Sequence, residues 1–522
     1  MRGIEVRWGM VALALAGASC NPGGSAETTE GATGSTGGAT GTTGAPTTGV
    51  TDGGSGSGSA SEGTGVTGGT TQGGCVPSTE VCDGIDDDCD GVPDDGPCST
   101  PAPLWDRVFG DQGADFARGV VFDAQGNVYL AGGQEGGADL GDGPIDPTIG
   151  GGFVASYGPD GAFRWKTLFP ADAGSWGQDL AIAPNGDVVV VGAFRGTIDF
   201  GDGPHASAGN SEAFVLRLDA GGTFVWARVF GGAEADFTNS VAIDASGEVV
   251  VTGYFGGSVD LGGGVRPGAG NADAFVARYA ADGAYQWDHT YVGAGHQAGE
   301  ALALDAAGDV FIAGASSDPV DLGGGVRPLG MNNPPFILSL AADGTYRWDH
   351  VVESGQITWY GIGTQSDGSV VVAGDVFGEL DIGGPKVGGP TTGGLVVAGF
   401  GDDGAFAWQY TLDGLGGRAF DLAVADDDTI VVGGEWAETL LFGDEERTAV
   451  GMTDLFAVGL TAGGKYRWHQ TFGGAAADLA AAVATGPGGA IAVAGEVQGP
   501  IDLGHGERPN GGFIDGYVVA LQ

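Results

Sequence analysis

Basic side chains, cysteines and long apolar runs are all scarce in this sequence of 522 residues. Lys and Arg together number 19 against 67 Asp and Glu, so the formal net charge is -48. A charge of this sign and size repels nucleic-acid phosphates and anionic lipid headgroups, which excludes both as charge-driven partners. No run of 18 apolar residues occurs, and no stretch keeps a helical period of hydrophobic residues. The sequence therefore predicts neither a membrane-spanning helix nor a helical domain.

The first 20 residues have the features of a secretion signal. Arg2 and Arg7 give it a positive start, and Met10–Ala18 is apolar but too short to span a bilayer. The segment ends at Cys20 and resembles a lipoprotein signal, in which that cysteine is acylated after cleavage. This resemblance implies an anchor in the outer membrane, at the cell surface, with membrane contact through the lipid alone.

The signal departs from the lipoprotein pattern at one position, because Gly17 replaces the usual leucine three residues before Cys20. An A-x-A cleavage site at 14–16 keeps plain secretion as the alternative. Residues 21–74 follow, a stretch of Gly, Thr, Ser and Ala without aromatic or basic side chains. Such a segment buries too little apolar surface to offset its ordering entropy, so we expect a disordered tether.

Residues 75–98 form a short module rich in cysteine and aspartate. Four cysteines in a secreted chain indicate two disulfide bonds, whose pairing the spacing leaves open. Zinc is the weaker interpretation, because the module has no histidine and no closely spaced cysteine pair. The four residues are Cys75, Cys82, Cys89 and Cys98.

The carboxylates of this module follow the D-x-D-x-D-G-x-x-D pattern of calcium-binding loops. Calcium takes about six to eight oxygen ligands, and a sharp bend at Gly91 can direct alternate side chains to one point. Pro97 stands where an EF-hand requires glutamate, so we expect a different loop, braced by disulfides. An acidic spacer without metal is the alternative. The candidate ligands are Asp83, Asp86, Asp88, Asp90, the carbonyl of Val92, and Asp94.

One run of this module also resembles a known motif. The run is Cys82-Asp83-Gly84-Ile85-Asp86-Asp87-Asp88-Cys89-Asp90-Gly91, and it resembles the MopE-like metal-binding motif of secreted bacterial proteins. The resemblance implies metal binding at the cell surface, with calcium or copper as the metal. A ligand set made of oxygen alone favours calcium over copper.

Seven tryptophans divide the rest of the chain into periods of 60 or 61 residues. A fixed period of this length is typical of a propeller or a solenoid. Each period holds four short runs of β-branched and aromatic residues bounded by Gly, Asp and Asn. We therefore predict that residues 101–522 form an all-β, seven-bladed β-propeller with four antiparallel strands in each blade. The tryptophans are Trp105, Trp165, Trp226, Trp287, Trp348, Trp408 and Trp468.

The order of the predicted strands indicates how the ring closes. Turns such as Asn185-Gly186 and Asp282-Gly283 suit two-residue hairpins, which fixes the start and end of each blade. In this frame the seventh blade ends with its third strand at Leu521 and lacks a fourth. We expect residues 104–109 to supply it, because closure removes the open edges of a linear array.

The repeat resembles bacterial β-propeller repeats of the SBBP type, as in Asp123-Ala124-Gln125-Gly126-Asn127-Val128-Tyr129-Leu130-Ala131-Gly132. The resemblance implies a propeller and little about function. Six periods carry Asp-(Leu/Phe/Ile)-Gly, which we interpret as loop-forming turns, with a ring of calcium sites as the alternative. We expect the repeated tryptophans to pack between blades. The six aspartates are Asp139, Asp199, Asp260, Asp321, Asp381 and Asp502.

Departures from the repeat are the places where a propeller could build a specific site. They include Trp176, Trp359, Trp436 and the run Asn332-Asn333-Pro334-Pro335. The long loops share one face of the predicted ring, and ligands usually bind on such a face. No catalytic residue can be singled out, since the six histidines form no unique triad and no phosphate-binding loop is present.

These features predict a monomeric, non-enzymatic binding or adhesion module, displayed at the cell surface on a calcium-stiffened stalk. Its partner would be a surface or extracellular protein or a glycan, and no cofactor is expected in the propeller. An extracellular propeller enzyme of the lyase, glycosidase or quinoprotein type is the alternative. A paired acidic or His/Arg cluster at the channel mouth would favour that alternative. A purely structural envelope component is the third hypothesis.

The calcium hypothesis predicts that calcium added to the oxidised 75–98 peptide releases heat and that a chelator competes for the ion. Isothermal titration calorimetry measures both effects. Absence of heat together with absence of competition would remove calcium from the module.

Overall fold

The structure is a computed structural model that describes residues 100–327, 334–352, 356–377, 381–386, 393–413, 416–443 and 445–522. The expected signal peptide with Cys20, the tether 21–74 and the module 75–98 lie outside these residues. The same is therefore true of the candidate calcium ligands and of all four disulfide cysteines. No helix in the described ranges is long and apolar enough to cross a membrane.

The described chain consists of 38 strands and one short 3-10 turn, Pro487–Gly489. The strands in chain order are β1 (Pro103–Phe109), β2 (Phe116–Phe122), β3 (Val128–Gln134), β4 (Gly151–Tyr157), β5 (Phe163–Phe169), β6 (Ser175–Ile182), β7 (Val188–Phe194), β8 (Thr197–Asp199), β9 (Pro204–Ala206), β10 (Glu212–Leu218), β11 (Phe224–Phe230), β12 (Phe237–Ile243), β13 (Val249–Phe255), β14 (Ser258–Asp260), β15 (Val265–Pro267), β16 (Asp273–Tyr279), β17 (Tyr285–Tyr291), β18 (Gln297–Leu304), β19 (Val310–Ser316), β20 (Val320–Asp321), β21 (Val326–Arg327), β22 (Pro335–Leu340), β23 (Tyr346–Val351), β24 (Gln356–Thr364), β25 (Val370–Phe377), β26 (Gly393–Phe400), β27 (Phe406–Asp413), β28 (Arg418–Val424), β29 (Ile430–Trp436), β30 (Thr439–Phe442), β31 (Glu445–Thr448), β32 (Asp454–Leu460), β33 (Tyr466–Phe472), β34 (Asp478–Thr485), β35 (Ile491–Val497), β36 (Ile501–Asp502), β37 (Glu507–Arg508) and β38 (Asp515–Leu521).

Seven four-stranded antiparallel sheets form the blades of a propeller, as predicted. The first strand of each blade contacts the first strands of the two adjacent blades, so these strands form a closed ring around an axial channel. The blades, numbered from one to seven, are β2-β3-β4-β5, β6-β7-β10-β11, β12-β13-β16-β17, β18-β19-β22-β23, β24-β25-β26-β27, β28-β29-β32-β33 and β34-β35-β38-β1.

The middle strands of the blades are almost entirely buried. Every residue of β7, whose sequence is VVVVGAF, is buried, and so is every residue of β10, EAFVLRL. Both faces of a blade pack against neighbouring blades, so these strands carry continuous apolar runs instead of alternating patterns. First and fourth strands lie at the channel and at the rim and keep partly exposed positions.

The seventh blade takes its fourth strand from the N-terminal end of the propeller, which confirms the predicted closure. Strand β1 pairs antiparallel with β38, with Arg107 opposite Val518. The carboxylate of Asp106 is fully buried and accepts hydrogen bonds from Arg508, with Nε to Oδ2 at 2.6 Å. His505 lies 2.9 Å from the same carboxylate. Backbone pairing and an ion pair on a buried carboxylate thus join the two ends of the ring.

The hairpin turns are longer than the sequence predicted, and the expectation of two-residue loops is wrong. The backbone N–H of Ala183 donates to the carbonyl of Asp187, which leaves three residues in the loop. The third is Gly186, whose φ of 86° lies in the left-handed region that glycine adopts without steric cost. The Asn-Gly and Asp-Gly pairs therefore close three-residue turns, a common alternative to the two-residue hairpin.

Within the described residues, five blades carry a second, smaller hairpin that the sequence did not predict. These two-stranded ribbons, β8-β9, β14-β15, β20-β21, β30-β31 and β36-β37, lie between the second and third strands. Arg266 of β15 pairs with Asp288 of β17 at 2.7 Å, so the ribbon folds back against the fourth strand of its own blade. Four of the repeated Asp-Gly motifs form ribbon tips. In one of them, Asp260 Oδ1 accepts hydrogen bonds from the N–H groups of Gly262 and Gly264.

The repeated tryptophans join neighbouring blades, as expected. Five of their indole N–H groups donate to a carbonyl in the 3–4 turn of the next blade. The ring of each tryptophan packs at the same time against the glycine of that turn. A partly buried aromatic surface combined with a directed hydrogen bond sets the angle between blades. The donor–acceptor pairs are Trp105–Pro159, Trp165–Ala220, Trp226–Ala281, Trp287–Ala342 and Trp348–Asp402.

The closure predicts different behaviour for two truncated chains. A chain that begins at residue 100 keeps β1 and should unfold at the temperature of the full chain. A chain that begins at residue 110 leaves the edge of β38 open and should melt lower and self-associate. Thermal unfolding and sedimentation measure both properties, and equal melting with no self-association would contradict the role of β1.

Candidate functional site

The first strand of every blade contains a β-bulge at the same position, beside the axial channel. Six of the seven bulged side chains keep partial exposure and Asn239 is buried, whereas the residue before each bulge is always buried. Packing residues recur from blade to blade, but these channel residues differ in every blade. They are Arg118, Gln178, Asn239, Glu300, Tyr360, Phe420 and Ala481.

Aromatic rings line the long-loop end of the channel on blades two to four. The ring centroids of Trp176 and Phe237 are 5.7 Å apart, and Phe237 lies 5.0 Å from Tyr254. His296 continues the row at 5.6 Å from Tyr254, and Arg195 lies over the Trp176 ring at 5.8 Å. Burial lowers the pKa of His296, which therefore favours the neutral ring. This row offers a continuous, partly exposed aromatic surface to a ligand.

A carboxylate lies below this aromatic row. Glu300 accepts a hydrogen bond of 3.3 Å from the side-chain amide of Asn239. Burial raises the pKa of Glu300 to about 7. Near neutral pH this group can therefore either donate or accept a proton in a hydrogen bond with a ligand.

The other side of the channel mouth is charged, on blades five to seven and one. Arg418 lies 3.4 Å from Asp375 and 3.6 Å from Glu435, while Arg118 lies 2.6 Å from Glu496. Burial raises the pKa of all three carboxylates. Asp375 is 3% exposed, and its Oδ1 has no hydrogen-bond partner among the described residues. A paired acidic and arginine cluster therefore lies at the channel mouth.

Two further carboxylates inside the channel accept hydrogen bonds from the neighbouring blade. Asp179 accepts hydrogen bonds from the Ser240 hydroxyl and the Val241 N–H, both at 2.9 Å. Asp421 accepts one from the Val483 N–H at 2.8 Å. Burial raises the pKa of Asp179 to about 6 and that of Asp421 to about 7. Repulsion between the two carboxylates adds to the shift at Asp421, although their blades are not adjacent.

The residues that depart from the repeat lie in different places in the structure. Trp176 lies at the channel mouth, whereas Trp359 and Trp436 are 1% and 2% exposed and belong to the core. Pro335 begins β22, and residues 328–333 lie outside the description. His289 lies 2.9 Å from the carbonyl of Gly344 and is part of the contact between blades. The described ranges contain no group of three or more His, Cys, Asp or Glu that could hold a metal ion.

Sequence reasoning missed the bulge residues and the carboxylates at the ends of the second strands. Variation at one position of the repeat, near the end of the second strand, could have revealed them. Blades five, six and seven carry Asp375, Glu435 and Glu496 at this position. At the same position the first and second blades carry Gly133 and Ala193.

No protein-family model matches the chain. An uncharacterized WD repeat-containing protein of Acanthamoeba polyphaga mimivirus is 25% identical over 155 residues, which cover 27% of this chain but only 11% of that protein. The WD40 domain of Neurospora crassa Pan2 has 10% identity and a TM-score of 0.41, over 80% of this chain and 97% of that domain. Regucalcin of Agrobacterium tumefaciens, a calcium-binding protein, has 11% identity and a TM-score of 0.31, over 64% of this chain and 85% of that protein. These similarities concern the fold and assign no activity.

The raised pKa of Asp421 predicts a pH dependence of stability. Its ordinary pKa is about 4, so between pH 4 and 7 the folded chain keeps a proton that the unfolded chain has released. The contribution of this group to stability therefore falls as pH rises toward 7. Asp421→Asn should flatten the decrease in melting temperature between pH 5 and pH 8. The exposed Asp160→Asn variant should retain the wild-type decrease, and an unchanged pH profile in Asp421→Asn would contradict the assignment.

Proposed function

We propose that this propeller is a non-enzymatic binding module that takes its ligand at the long-loop end of the axial channel. The observation that carries this proposal is the contrast between repeated packing residues and the non-repeating channel mouth. Seven-fold packing requires the same residue types in each blade, so unlike side chains at one place serve another purpose. The mouth combines aromatic rings with a few polar groups, which is the usual composition of a ligand site.

The proposal extends to the N-terminal region. An acylated Cys20 would anchor the chain in the outer membrane, and residues 21–74 would span the distance to the stalk. Calcium held by residues 75–98 would stiffen the connection to the propeller. The ligand would then be a glycan or protein outside the cell, since aromatic faces suit sugar rings and apolar side chains alike.

An extracellular enzyme of the lyase or glycosidase type is the second candidate. The cluster of Asp375, Glu435 and Glu496 beside two arginines favours it, because carboxylates of raised pKa suit proton transfer. Turnover of a bound glycan separates the candidates: release of shorter products supports the enzyme, and unchanged ligand after long incubation supports the binding module.

A screen of glycans and surface proteins against the 100–522 chain should identify the ligand. Trp176→Ala combined with Phe237→Ala is expected to reduce affinity about tenfold or more, because each lost aromatic contact costs roughly 1 kcal/mol. Biolayer interferometry measures the change.

The matched control is Val265→Ala, which removes an apolar side chain that is 69% exposed on a ribbon away from the channel. This variant should bind like the wild type. Equal affinity of the aromatic double variant and the wild type would place the ligand elsewhere on the propeller.

A further inference from the structure

A repeated ion pair fills one corner of blades two, three and four, on the face of the ring that carries the short turns and lies opposite the channel mouth. An arginine there pairs with the acidic residue that precedes the second strand of its own blade. Arg217 lies 2.9 Å from Asp187, Arg278 lies 2.9 Å from Glu248, and Arg347 lies 3.1 Å from Asp309. Each guanidinium is thereby held by a carboxylate.

Blade four is the closest counterpart of blade one at this corner. In both, a serine replaces the arginine of the third strand, and the arginine comes from the fourth strand. Arg347 donates to Ser339 at 3.2 Å and pairs with a second carboxylate, Asp402 of the next blade, at 2.5 Å. Two aspartates therefore neutralise Arg347.

Blade one keeps the arginine and the serine but has lost both carboxylates. Arg164 donates to Ser156 at 2.8 Å and to the Tyr129 hydroxyl at 3.0 Å. Asn127 occupies the position in blade one that Asp309 occupies in blade four. Ala220 of blade two, beside blade one, occupies the position that Asp402 of blade five occupies beside blade four. Among the described residues Arg164 forms no ion pair, although acidic residues outnumber basic ones more than threefold in this chain.

A cavity of about 640 Å³ opens at this corner. Both replaced positions, Asn127 and Ala220, line it, and so does Arg164. The inner ends of the first strands add apolar walls through Phe122, Ile182 and Ile243. The volume lies within the range of pockets for small molecules and is large enough for one sugar or amino acid.

The acidic residues of the cavity are already engaged. Asp123 accepts from the Asn127 side chain at 2.7 Å and from the Tyr129 hydroxyl at 2.9 Å. Asp244 pairs with Arg278. The exposed guanidinium of Arg164 is thus the charged group of the cavity that remains available to a ligand.

We infer that this cavity binds a small carboxylate, which takes the place that Asp309 and Asp402 occupy in blade four. A guanidinium can pair with a planar carboxylate through two parallel hydrogen bonds. In the equivalent corner of blade four, the two terminal nitrogens of Arg347 contact the carboxylates of Asp309 and Asp402. The strong negative charge of the chain disfavours multiply charged anions, so a monoanionic acid is the expected class. This site is separate from the channel mouth and does not depend on the function proposed there.

Sodium D-glucuronate and D-glucose provide a matched pair of probes, since they differ mainly in the carboxylate. Isothermal titration calorimetry of the full chain at low ionic strength should show binding of glucuronate and at least tenfold weaker binding of glucose. Arg164→Gln should lower the affinity for glucuronate at least tenfold. Ala220→Asp, at an exposed turn, should do the same by restoring the carboxylate found in blade four.

The control is Arg347→Gln, which breaks the corresponding contacts in blade four and should leave glucuronate binding unchanged. Circular dichroism melting shows whether each variant is folded. If Arg164→Gln does not fold, the affinity of Ala220→Asp for glucuronate tests the inference. Absence of glucuronate binding, equal binding of glucose, undiminished binding in Ala220→Asp, or an equal loss in Arg347→Gln would each overturn the inference.

Discussion

Closure of the ring is the constraint on which the rest of this propeller depends. Each blade buries both faces against its neighbours, so an open array would leave two apolar faces and a strand edge in water. The pairing of β1 with β38 and the buried carboxylate of Asp106 remove these exposed surfaces. Closure also gives the first strands a common axis, and the channel exists only because that ring is complete.

The repeat divides the side chains into two classes. Tryptophans and middle strands recur because every contact between blades has the same geometry. The bulge positions point toward the axis, where seven equivalent positions face one another and no packing rule makes them alike. Aromatic rings on one side and carboxylate–arginine pairs on the other could therefore diverge without loss of the fold.

The corner between blades one and two illustrates the same freedom on the opposite face. Arg217, Arg278 and Arg347 fill equivalent corners with ion pairs, whereas Asn127 and Ala220 leave Arg164 beside an open cavity. A repeat protein can create a pocket by omitting a side chain that other repeats supply. Such an omission is invisible in one period and is recognised only when the periods are compared in register.

Much of the fold could be predicted because its signals are local and repeated. The tryptophan period, the four strand runs and the missing last strand determined seven blades and their closure from the sequence alone. The hairpin length was wrong, since an Asn-Gly or Asp-Gly pair is compatible with both two-residue and three-residue turns. The ribbons were missed because strands of two to four residues are too short to give a periodic signal.

The candidate sites required the tertiary structure. Asp375 and Arg418 are 43 residues apart and belong to different blades, and Arg164 and Ala220 are likewise joined only across a blade boundary. Their approach depends on the angle between blades and on the position of the bulges, which no local pattern encodes. The sequence by itself determined the number of blades, their closure and the cysteine-rich segment before them. Only the tertiary structure decided which side chains meet at the channel and at the corner, because those contacts join residues that are distant in the chain.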